Sequence, residues 1–361
     1  MRILHIVEDF SLASGGLRTV VSDLHKNLFE KAHQSYILSS KKEIEDDIFL
    51  VETDSPWLYS KKWIKKLKLL KQQNLFDIIH IHGVWLYPQY IAAKFCVKNN
   101  IPFLLSVHGM YEPWLWTKGT LKKHFYFNFF AKKYFSKANA IHSITMDEKI
   151  NLKELFPNTK LIEIPNLIEI PKSEEHLSIN EDGKYFLYLG RLDEKKGIDL
   201  LIKSFSLFKE KFILIIAGSY NDYKRKLESI VKSLDLNDKV QFRGFVKGNE
   251  KIELIKNSWI LVAPSYSEVV GMVNLEAGSL KTPVITTFQT GIKKEWNENG
   301  GMLINPELKE LETAMSKAAS WTLKERNENG NKLHKFVLEN YSWSNKMDTW
   351  IQIYETSLKN V

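Results

Sequence analysis

The sequence has a single cysteine, and none of its apolar runs is long enough to cross a bilayer. Cys96 is the only thiol in 361 residues, so an internal disulfide is impossible and a reducing compartment is expected. The N-terminal MRILHIVEDF is too short for a signal peptide and is typical of a buried first strand. No segment approaches the roughly 20 apolar residues of a spanning helix. We therefore expect a cytoplasmic protein.

Two common phosphate-binding motifs are also missing. The chain contains neither the G-x-G-x-x-G dinucleotide fingerprint nor a Walker sequence, and no repeat occurs at a fixed period. The first strand instead leads into SLASGGLRTVV, in which Gly15 and Gly16 precede a helical pattern. Such a pair can direct backbone N–H groups at an anion, although it is more often simply a turn.

Acidic residues are absent between Glu112 and Asp147, where TKGTLKKHFYFNFFAKKYFSK mixes lysines with aromatic residues. A second basic segment, KKWIKKLKLLK over 61–71, has six lysines and an apolar face containing Trp63. The net charge of +8 makes nucleic acid and anionic membrane candidate partners. A basic amphipathic helix with a tryptophan suits a lipid surface, and packing of that face on its own domain is equally compatible. Two such segments favour a peripheral membrane protein, and no nucleic-acid-binding module is recognisable.

Short apolar runs alternate with longer helical patterns, which predicts an α/β protein with mostly parallel sheets. The composition, 44% hydrophobic and 26% charged, fits a globular chain of two domains. KSEEHLSINEDGK is polar and lacks apolar periodicity, as a linker does. We predict an N-terminal α/β domain over 1–167, a linker over 168–184, a C-terminal α/β domain over 185–341 and a terminal helix over 342–361. A substrate is expected in the cleft between the domains.

The turn GRLDEKKG after YFLYL combines a strand end, an arginine and a lysine. Arg191 follows the strand, and Lys196 stands beside the Gly197 that opens a helix. An arginine fork and a lysine point charge at this spacing can hold a diphosphate from two sides. The alternative is a basic turn with ordinary exposed charges.

Three histidines stand at or near strand ends. His108 follows FLLSV and precedes Gly109, which suits a hydrogen bond to a substrate hydroxyl or phosphate. His80 and His82, in IHIHGVW, are expected to point to opposite faces of their strand and to be structural. That expectation disfavours a shared metal site.

Two glutamates flank a predicted helix start in SEVVGMVNLEAGSLKTPVITT. The helix is expected to begin near Gly271, with the N–H groups of Gly271, Met272 and Val273 available to a phosphate. Glu268 precedes that start, and Glu276 lies one turn inside. Carboxylates there can accept hydrogen bonds from sugar hydroxyls, whereas the alternative is two solvated charges near a helix dipole.

Together these motifs and SVHG resemble the group 1 (family 4) retaining glycosyltransferases, over essentially the whole chain. The resemblance implies the GT-B fold, in which two Rossmann-like α/β domains face each other across a cleft and the terminal helix returns to the N-terminal domain. It implies that Arg191 and Lys196 neutralise the donor diphosphate, that Glu276 binds the ribose and that Glu268 binds the donor sugar. By this resemblance Arg191, Lys196, Glu268 and His108 are the catalytic set.

The resemblance also implies that His108 contacts the donor sugar and that Gly16 lies behind the phosphates. The family needs no metal, and no D-x-D sequence occurs here. We therefore expect no cofactor and no metal ligand, with a UDP- or GDP-sugar as substrate. Val269 and Val270 stand where the family often has a glycine–aromatic pair. Lys281 replaces a common glycine, and a left-handed backbone there would cost on the order of 1 kcal/mol.

The segment from His108 to Thr145 is similar to members that build bacterial surface polysaccharides on lipid carriers. This similarity predicts a lipid-linked saccharide acceptor and a position at the inner face of the cell membrane. Two alternatives remain open: a sugar-nucleotide 2-epimerase of the same architecture, and a non-catalytic protein that binds nucleotide-sugars.

Overall fold

The computed structural model describes residues 1–11, 14–41, 48–53, 55–117, 119–171, 184–208 and 210–359. The chain divides into two compact units, Met1–Leu167 with Lys346–Val361, and Ile168–Asn345. Residues 172–183, which form most of the predicted linker, lie outside the described residues.

Unit 1 is built on a parallel sheet whose seven described strands follow the order β3-β2-β1-β4-β5-β6-β7. Six of these strands match apolar runs that predict strands, namely RILHIV, SYILSS, DIIHIH, FLLSVH, AIHSIT and LIEIP, and the short edge strand β3 was not predicted. The strands are β1 (Arg2–Ile6), β2 (Gln34–Ser39), β3 (Ile48–Leu50), β4 (Ile78–His82), β5 (Phe103–Ser106), β6 (Ala140–Ser143) and β7 (Leu161–Glu163). Their neighbours pair in parallel register, for example His5 with His80 and His82 with Ser106.

Helices connect most of these parallel strands, as crossovers between parallel strands usually do. The helices before the second unit are α1 (Gly16–Glu30), α2 (Lys62–Gln72), α3 (Tyr87–Asn99), α4 (Thr120–Tyr126), α5 (Lys132–Phe135) and α6 (Met146–Leu155). A π-helical turn over Phe127–Ala131 joins α4 to α5.

Unit 2 repeats the same architecture with six described strands in the order β10-β9-β8-β11-β12-β13. Five of them match the predicted apolar runs, and β13 was missed. The strands are β8 (Tyr185–Leu189), β9 (Ile213–Ala217), β10 (Val240–Gly244), β11 (Ile260–Ala263), β12 (Val284–Thr287) and β13 (Met302–Ile304). The helices are α7 (Ile198–Ser206), α8 (Asp222–Ser233), α9 (Gly248–Lys256), α10 (Met272–Ser279), α11 (Leu308–Ala319) and α12 (Leu323–Tyr341).

The terminal helix α13 (Trp343–Lys359) starts directly after Ser342, the first residue of the predicted terminal segment 342–361. Ser342 Oγ accepts a hydrogen bond from the Asn345 N–H at 3.3 Å, the N-cap contact expected of a serine there. From Lys346 onward the helix belongs to unit 1, where Trp350 and Tyr354 are buried against histidines of the sheet. In the described part of the chain, no helix is both long and apolar enough to cross a membrane.

Candidate functional site

The switch point of the unit 2 sheet lies between β8 and β11, because the strand order runs outward from these two strands in opposite directions. Ligands of open α/β sheets bind beyond the carboxyl ends of the strands at such a point. The loop after β8 contains Arg191 and Lys196, and the loop after β11 contains Glu268. The two loops approach each other closely at Gly197. Its φ is +66°, and a Cβ there would lie 2.2 Å from the Pro264 carbonyl oxygen, so only glycine fits.

Lys196 and Glu268, predicted separately from the sequence, form an ion pair in this loop cluster. Lys196 Nζ lies 2.7 Å from Glu268 Oε2, and both side chains are mostly buried, with 16% and 14% exposed. The other carboxylate oxygen, Oε1, accepts a hydrogen bond from Ser265 Oγ at 2.6 Å. The glutamate is thus held at both oxygens, one by a cation and one by a hydroxyl. An incoming anion can take over the lysine while the serine keeps Glu268 in place.

Arg191 is exposed and forms no hydrogen bond or ion pair with the described residues through its guanidinium. Its backbone carbonyl accepts a hydrogen bond from Tyr188 Oη at 2.8 Å, which fixes the start of the turn. Asp193 Oδ1 accepts from the Lys195 N–H at 3.1 Å and closes the following turn. The loop is therefore ordered by its own contacts, and the Arg191 fork remains available.

The helix start predicted near Gly271 is confirmed, with Gly271 as N-cap and α10 beginning at Met272. One detail of the prediction was wrong: the Gly271 N–H is not available to a phosphate, because it donates to the Thr290 carbonyl oxygen at 3.1 Å. This bond ties the helix start to the loop after β12. The Met272 and Val273 N–H groups are among the first N–H groups of α10, which have no partner inside the helix.

Glu276 forms an ion pair with Lys251, a residue that no sequence motif had indicated. Lys251 Nζ lies 2.8 Å from Glu276 Oε1 and 2.7 Å from Oε2, so the lysine bridges both carboxylate oxygens. Lys251 is on α9, and no local pattern links it to α10. A sugar diol that binds Glu276 would share the carboxylate with this lysine or displace it.

In unit 1 the switch point lies between β1 and β4, and the predicted glycine pair follows β1. Gly15 has φ +72° and ψ −133°, a backbone that only glycine adopts readily. Both glycines were predicted to precede the helix, but α1 already begins at Gly16. A Cβ at Gly16 would meet no described atom within 4 Å. No described residue therefore requires a glycine at position 16, whereas a ligand in close contact there would.

His108 has a left-handed backbone with φ +55°, which is unusual for a residue other than glycine and is often found at functional sites. The loop is secured by Glu148, a buried carboxylate that accepts the Gly109 and Ile144 N–H groups at 2.6 Å each. Burial raises the pKa of Glu148 to about 7, against the opposing effect of these two hydrogen bonds. Burial also lowers the pKa of His108 to about 3, with His142 adding to the effect, so the ring is neutral and can only hydrogen-bond.

The expectation that His80 and His82 point to opposite faces was wrong. Residues two apart on a strand lie on the same face, because the side-chain period of a strand is two. Their ring centroids are 4.1 Å apart, and the His5 ring lies beside them at 5.5 and 5.2 Å. Together with His142 on β6 they form a buried histidine layer on one face of the unit 1 sheet.

The two basic segments of unit 1 differ in the structure. In α2 the apolar side chains of Trp63, Leu67 and Leu70 are buried in the core. The apolar face of this helix therefore packs on its own domain and is not available to a membrane. In the second segment Leu121, Phe125 and Phe129 recur every four residues along α4 and the π-helical turn. They are 88%, 57% and 69% exposed. We call these three residues the α4 apolar patch.

Exposed lysines accompany the α4 apolar patch along the chain. Lys122, Lys132, Lys133 and Lys137 are exposed in the same segment, and the Phe125 and Phe129 rings contact each other at 4.8 Å between centroids. A cluster of large apolar side chains exposed in this way often marks a binding surface.

Two family models match this chain. Residues 169–336 match Glycosyl transferases group 1, and residues 14–170 match Glycosyltransferase Family 4. An uncharacterised glycosyltransferase of Methanocaldococcus jannaschii is 30% identical over 297 residues, covering 72% of this chain and 70% of that protein. The chain therefore belongs to the group 1 glycosyltransferases and is an enzyme of that class.

Two further proteins are similar to this chain, one in sequence and one in fold. The O-antigen chain mannosyltransferase RfbU of Salmonella typhimurium is 26% identical over 240 residues, covering 62% of this chain and 67% of that protein. The crystal structure of Anabaena HepE in complex with UDP-glucose has a TM-score of 0.73 at 15% identity, covering 100% of each chain. At such low identity the match shows the fold alone. The predicted GT-B architecture of two parallel-sheet α/β domains is confirmed.

Proposed function

We propose that this enzyme transfers a sugar from a nucleotide-diphosphate donor to a saccharide acceptor, and that the donor binds at the switch point of unit 2. The observation that carries the proposal is the Lys196–Glu268 ion pair in that loop cluster. It places a cation for phosphate and an acceptor for hydroxyls side by side, beside a helix start. That combination suits a sugar diphosphate better than either component alone. The UDP-glucose held by HepE agrees with a donor of this class.

Each group has a role in the proposal. Lys196 and Arg191 balance the charge of the diphosphate, including the charge that develops as it leaves. The Met272 and Val273 N–H groups of α10 add hydrogen bonds to a phosphate, and Gly271 lets the backbone come close. With two side-chain cations available, we propose that transfer needs no metal. Retention of configuration at the anomeric carbon is part of the proposal through the family resemblance alone.

The two glutamates act as acceptors of hydroxyl groups. Glu276 receives the ribose diol, sharing its carboxylate with Lys251, and Glu268 receives hydroxyls of the sugar to be transferred. In unit 1 we assign His108 to a hydrogen bond with the donor sugar, and Gly15 and Gly16 to the phosphates. The neutrality of His108 and the open space at Gly16 support these assignments.

We further propose a lipid-linked saccharide acceptor in the synthesis of a bacterial surface polysaccharide, with the enzyme held at the inner membrane face. The named activity of RfbU, in O-antigen synthesis, agrees with this pathway. The α4 apolar patch and its lysines supply the membrane contact, because apolar side chains enter the headgroup layer while lysines attract anionic lipid. With the Trp63 face of α2 buried, that helix has its exposed lysines and Leu69, which is 43% exposed, for such a role.

The test is a panel of UDP- and GDP-sugars measured by thermal stabilisation, followed by product analysis with the donor that stabilises most. We expect one donor to raise the Tm and to be consumed only when a saccharide acceptor is added, with its sugar appearing on the acceptor. Release of the 2-epimer without an acceptor would indicate an epimerase instead. Binding without any product, in the presence of membrane lipid extract, would indicate a non-catalytic binding protein.

A further inference from the structure

His5, His82 and His108 form a continuous line of hydrogen bonds from the interior of unit 1 to the loop after β5. His5 Nδ1 lies 2.9 Å from His82 Nε2, and His82 Nδ1 lies 3.0 Å from His108 Nε2. His5 and His82 are buried, and His108 is half-buried. Among the described residues, neither the inner nitrogen, His5 Nε2, nor the outer one, His108 Nδ1, has a hydrogen-bond partner.

All three rings are neutral at physiological pH. Burial lowers the pKa of His5 to about 3 and that of His108 to about 3, and it holds the pKa of His82 well below its usual range. A neutral imidazole has one N–H donor and one acceptor nitrogen. The direction of one hydrogen bond in the line therefore fixes the direction of the next.

Only two arrangements of the protons satisfy both hydrogen bonds. In the first, His5 donates to His82, His82 donates to His108, and His108 Nδ1–H points outward as a donor. In the second, every bond is reversed, and His5 Nε2–H becomes a buried donor without an acceptor. Buried N–H groups without an acceptor are rarer in proteins than acceptors without a donor. The first arrangement is therefore the more stable one.

A neighbouring network is directed independently and provides a control. His142 Nε2 lies 2.7 Å from the Ile164 carbonyl oxygen, which can only accept, so His142 Nδ1 is an acceptor. Ser106 Oγ must then donate to His142 at 2.8 Å and accept from His80 Nε2 at 2.7 Å. His80 Nδ1 in turn accepts from Tyr354 Oη at 2.7 Å. This network contains no hydrogen bond to His82 or His108.

We infer that His82 is a positioning residue: with His5, it keeps His108 Nε2 as an acceptor, so that His108 Nδ1–H donates to an oxygen of the bound ligand. The inference deepens the proposed function, on which it rests for the identity of that ligand as a donor sugar. It states which kind of ligand atom His108 recognises, an acceptor oxygen, and which residue sets that preference.

The experiment compares His82→Asn with His82→Leu and uses Tyr354→Phe as control. The asparagine amide is attached at Cγ, as Nδ1 is in histidine, so it can still donate to His108 Nε2, whereas leucine cannot. The ring tautomers are read from the ¹⁵N shifts of labelled histidines, with His108→Gln to assign the His108 signals. Steady-state kinetics with the donor found in the panel give kcat and KM separately, and thermal unfolding checks that each variant is folded.

We expect His108 to carry its proton on Nδ1 in the natural protein and in Tyr354→Phe, and His82→Asn to keep a larger share of that tautomer than His82→Leu. In His82→Leu that fixed tautomer is lost and kcat/KM falls about tenfold, the effect of one ligand hydrogen bond. A proton on Nε2 of His108 in the natural protein, or full kcat/KM in a folded His82→Leu variant, would overturn the inference. The ¹⁵N measurement needs no activity, so failure of the proposed function and failure of this inference are distinguishable.

Discussion

Lys196 and Glu268 stand in loops that follow different strands, and their side chains meet at 2.7 Å with both groups mostly buried. A pair this close is a stable resting arrangement for a lysine that is proposed to bind phosphate. Ser265 remains as a partner of Glu268 when the lysine turns to a ligand. The contact therefore couples the proposed phosphate and sugar positions.

Replacing Lys196 by alanine should abolish most of the transfer while leaving the fold intact. The substitution removes the charge opposite the diphosphate and leaves the Glu268 carboxylate without its cation. We expect kcat/KM to fall by about 100-fold or more, the usual effect of losing a group that stabilises developing charge. Release of the nucleoside diphosphate measures this, and circular dichroism checks the fold. The control is Lys195→Ala, an exposed neighbour expected to behave like the natural protein. Undiminished turnover in Lys196→Ala would reject the site assignment.

Glu276→Ala should abolish transfer chiefly by weakening nucleotide binding, since ribose hydroxyls lose their acceptor. Lys251→Met should have a smaller effect on the Kd, because the carboxylate remains but is less firmly held. The pair is about one-third exposed, so we expect the Tm to change little in either variant. Calorimetric titration with UDP and GDP gives both affinities and identifies the base. Glu228→Ala removes an exposed carboxylate that pairs with Lys224 on α8, and this variant serves as control. Equal affinity in Glu276→Ala and the control would exclude the ribose assignment.

Replacing Leu121, Phe125 and Phe129 together by serine should release the enzyme from anionic vesicles. These side chains are exposed and make no large contribution to the core, so the variant should fold normally. Co-sedimentation with vesicles containing anionic lipid measures the effect. Phe245→Ser is the matched control, an equally exposed aromatic residue in unit 2.

Changing Lys61, Lys62, Lys65 and Lys66 to glutamate tests the other basic segment. We expect partial release that depends on salt, because these four lysines attract anionic lipid through charge, which salt screens. Full retention of both variants on the vesicles would contradict the membrane proposal.

Lys281→Gly should stabilise the protein by up to about 1 kcal/mol without altering transfer. Lys281 has φ +60°, so the left-handed backbone considered from the sequence is present. The Lys281 carbonyl oxygen accepts a hydrogen bond from Arg326 Nη1 at 3.1 Å, and this contact does not depend on the lysine side chain. Denaturant unfolding gives the free energy, with Lys317→Gly inside α11 as a control that should destabilise. A loss of stability in Lys281→Gly would show that the side chain contributes more than its backbone strain costs.

The free energy of unfolding should fall as the pH rises from about 4.5 to 7, in part because of Glu148. Burial raises the pKa of this carboxyl from 4.5 to about 7 in the folded protein. In that window the folded protein holds a proton that the unfolded chain has released, so rising pH favours unfolding. Urea unfolding at pH 5 and pH 8 should show a larger fall for the natural protein than for Glu148→Gln. Parallel pH profiles of the two proteins would be contrary to this expectation.

Local patterns determined a large part of this protein. Strand and helix periodicity predicted the two parallel sheets, and strand-end residues marked the loops where Arg191, Lys196 and Glu268 lie. The helix start at Gly271 and the cap at Ser342 were also predictable, because each depends on a few neighbouring residues. The short edge strands β3 and β13 were missed, because a strand of three residues is too short to show a periodic pattern.

Tertiary structure alone decided which of these residues touch. The Lys251–Glu276 pair depends on packing of α9 near α10, and the His5–His82–His108 line depends on the pairing of β1 with β4 and of β4 with β5. Burial of the Trp63 face likewise depends on what α2 packs against. Periodicity reports the environment of each element, but strand order and helix contacts arise from segments far apart in the chain. For that reason local sequence patterns identified the side chains of the candidate site, whereas only the fold determined which residues they contact.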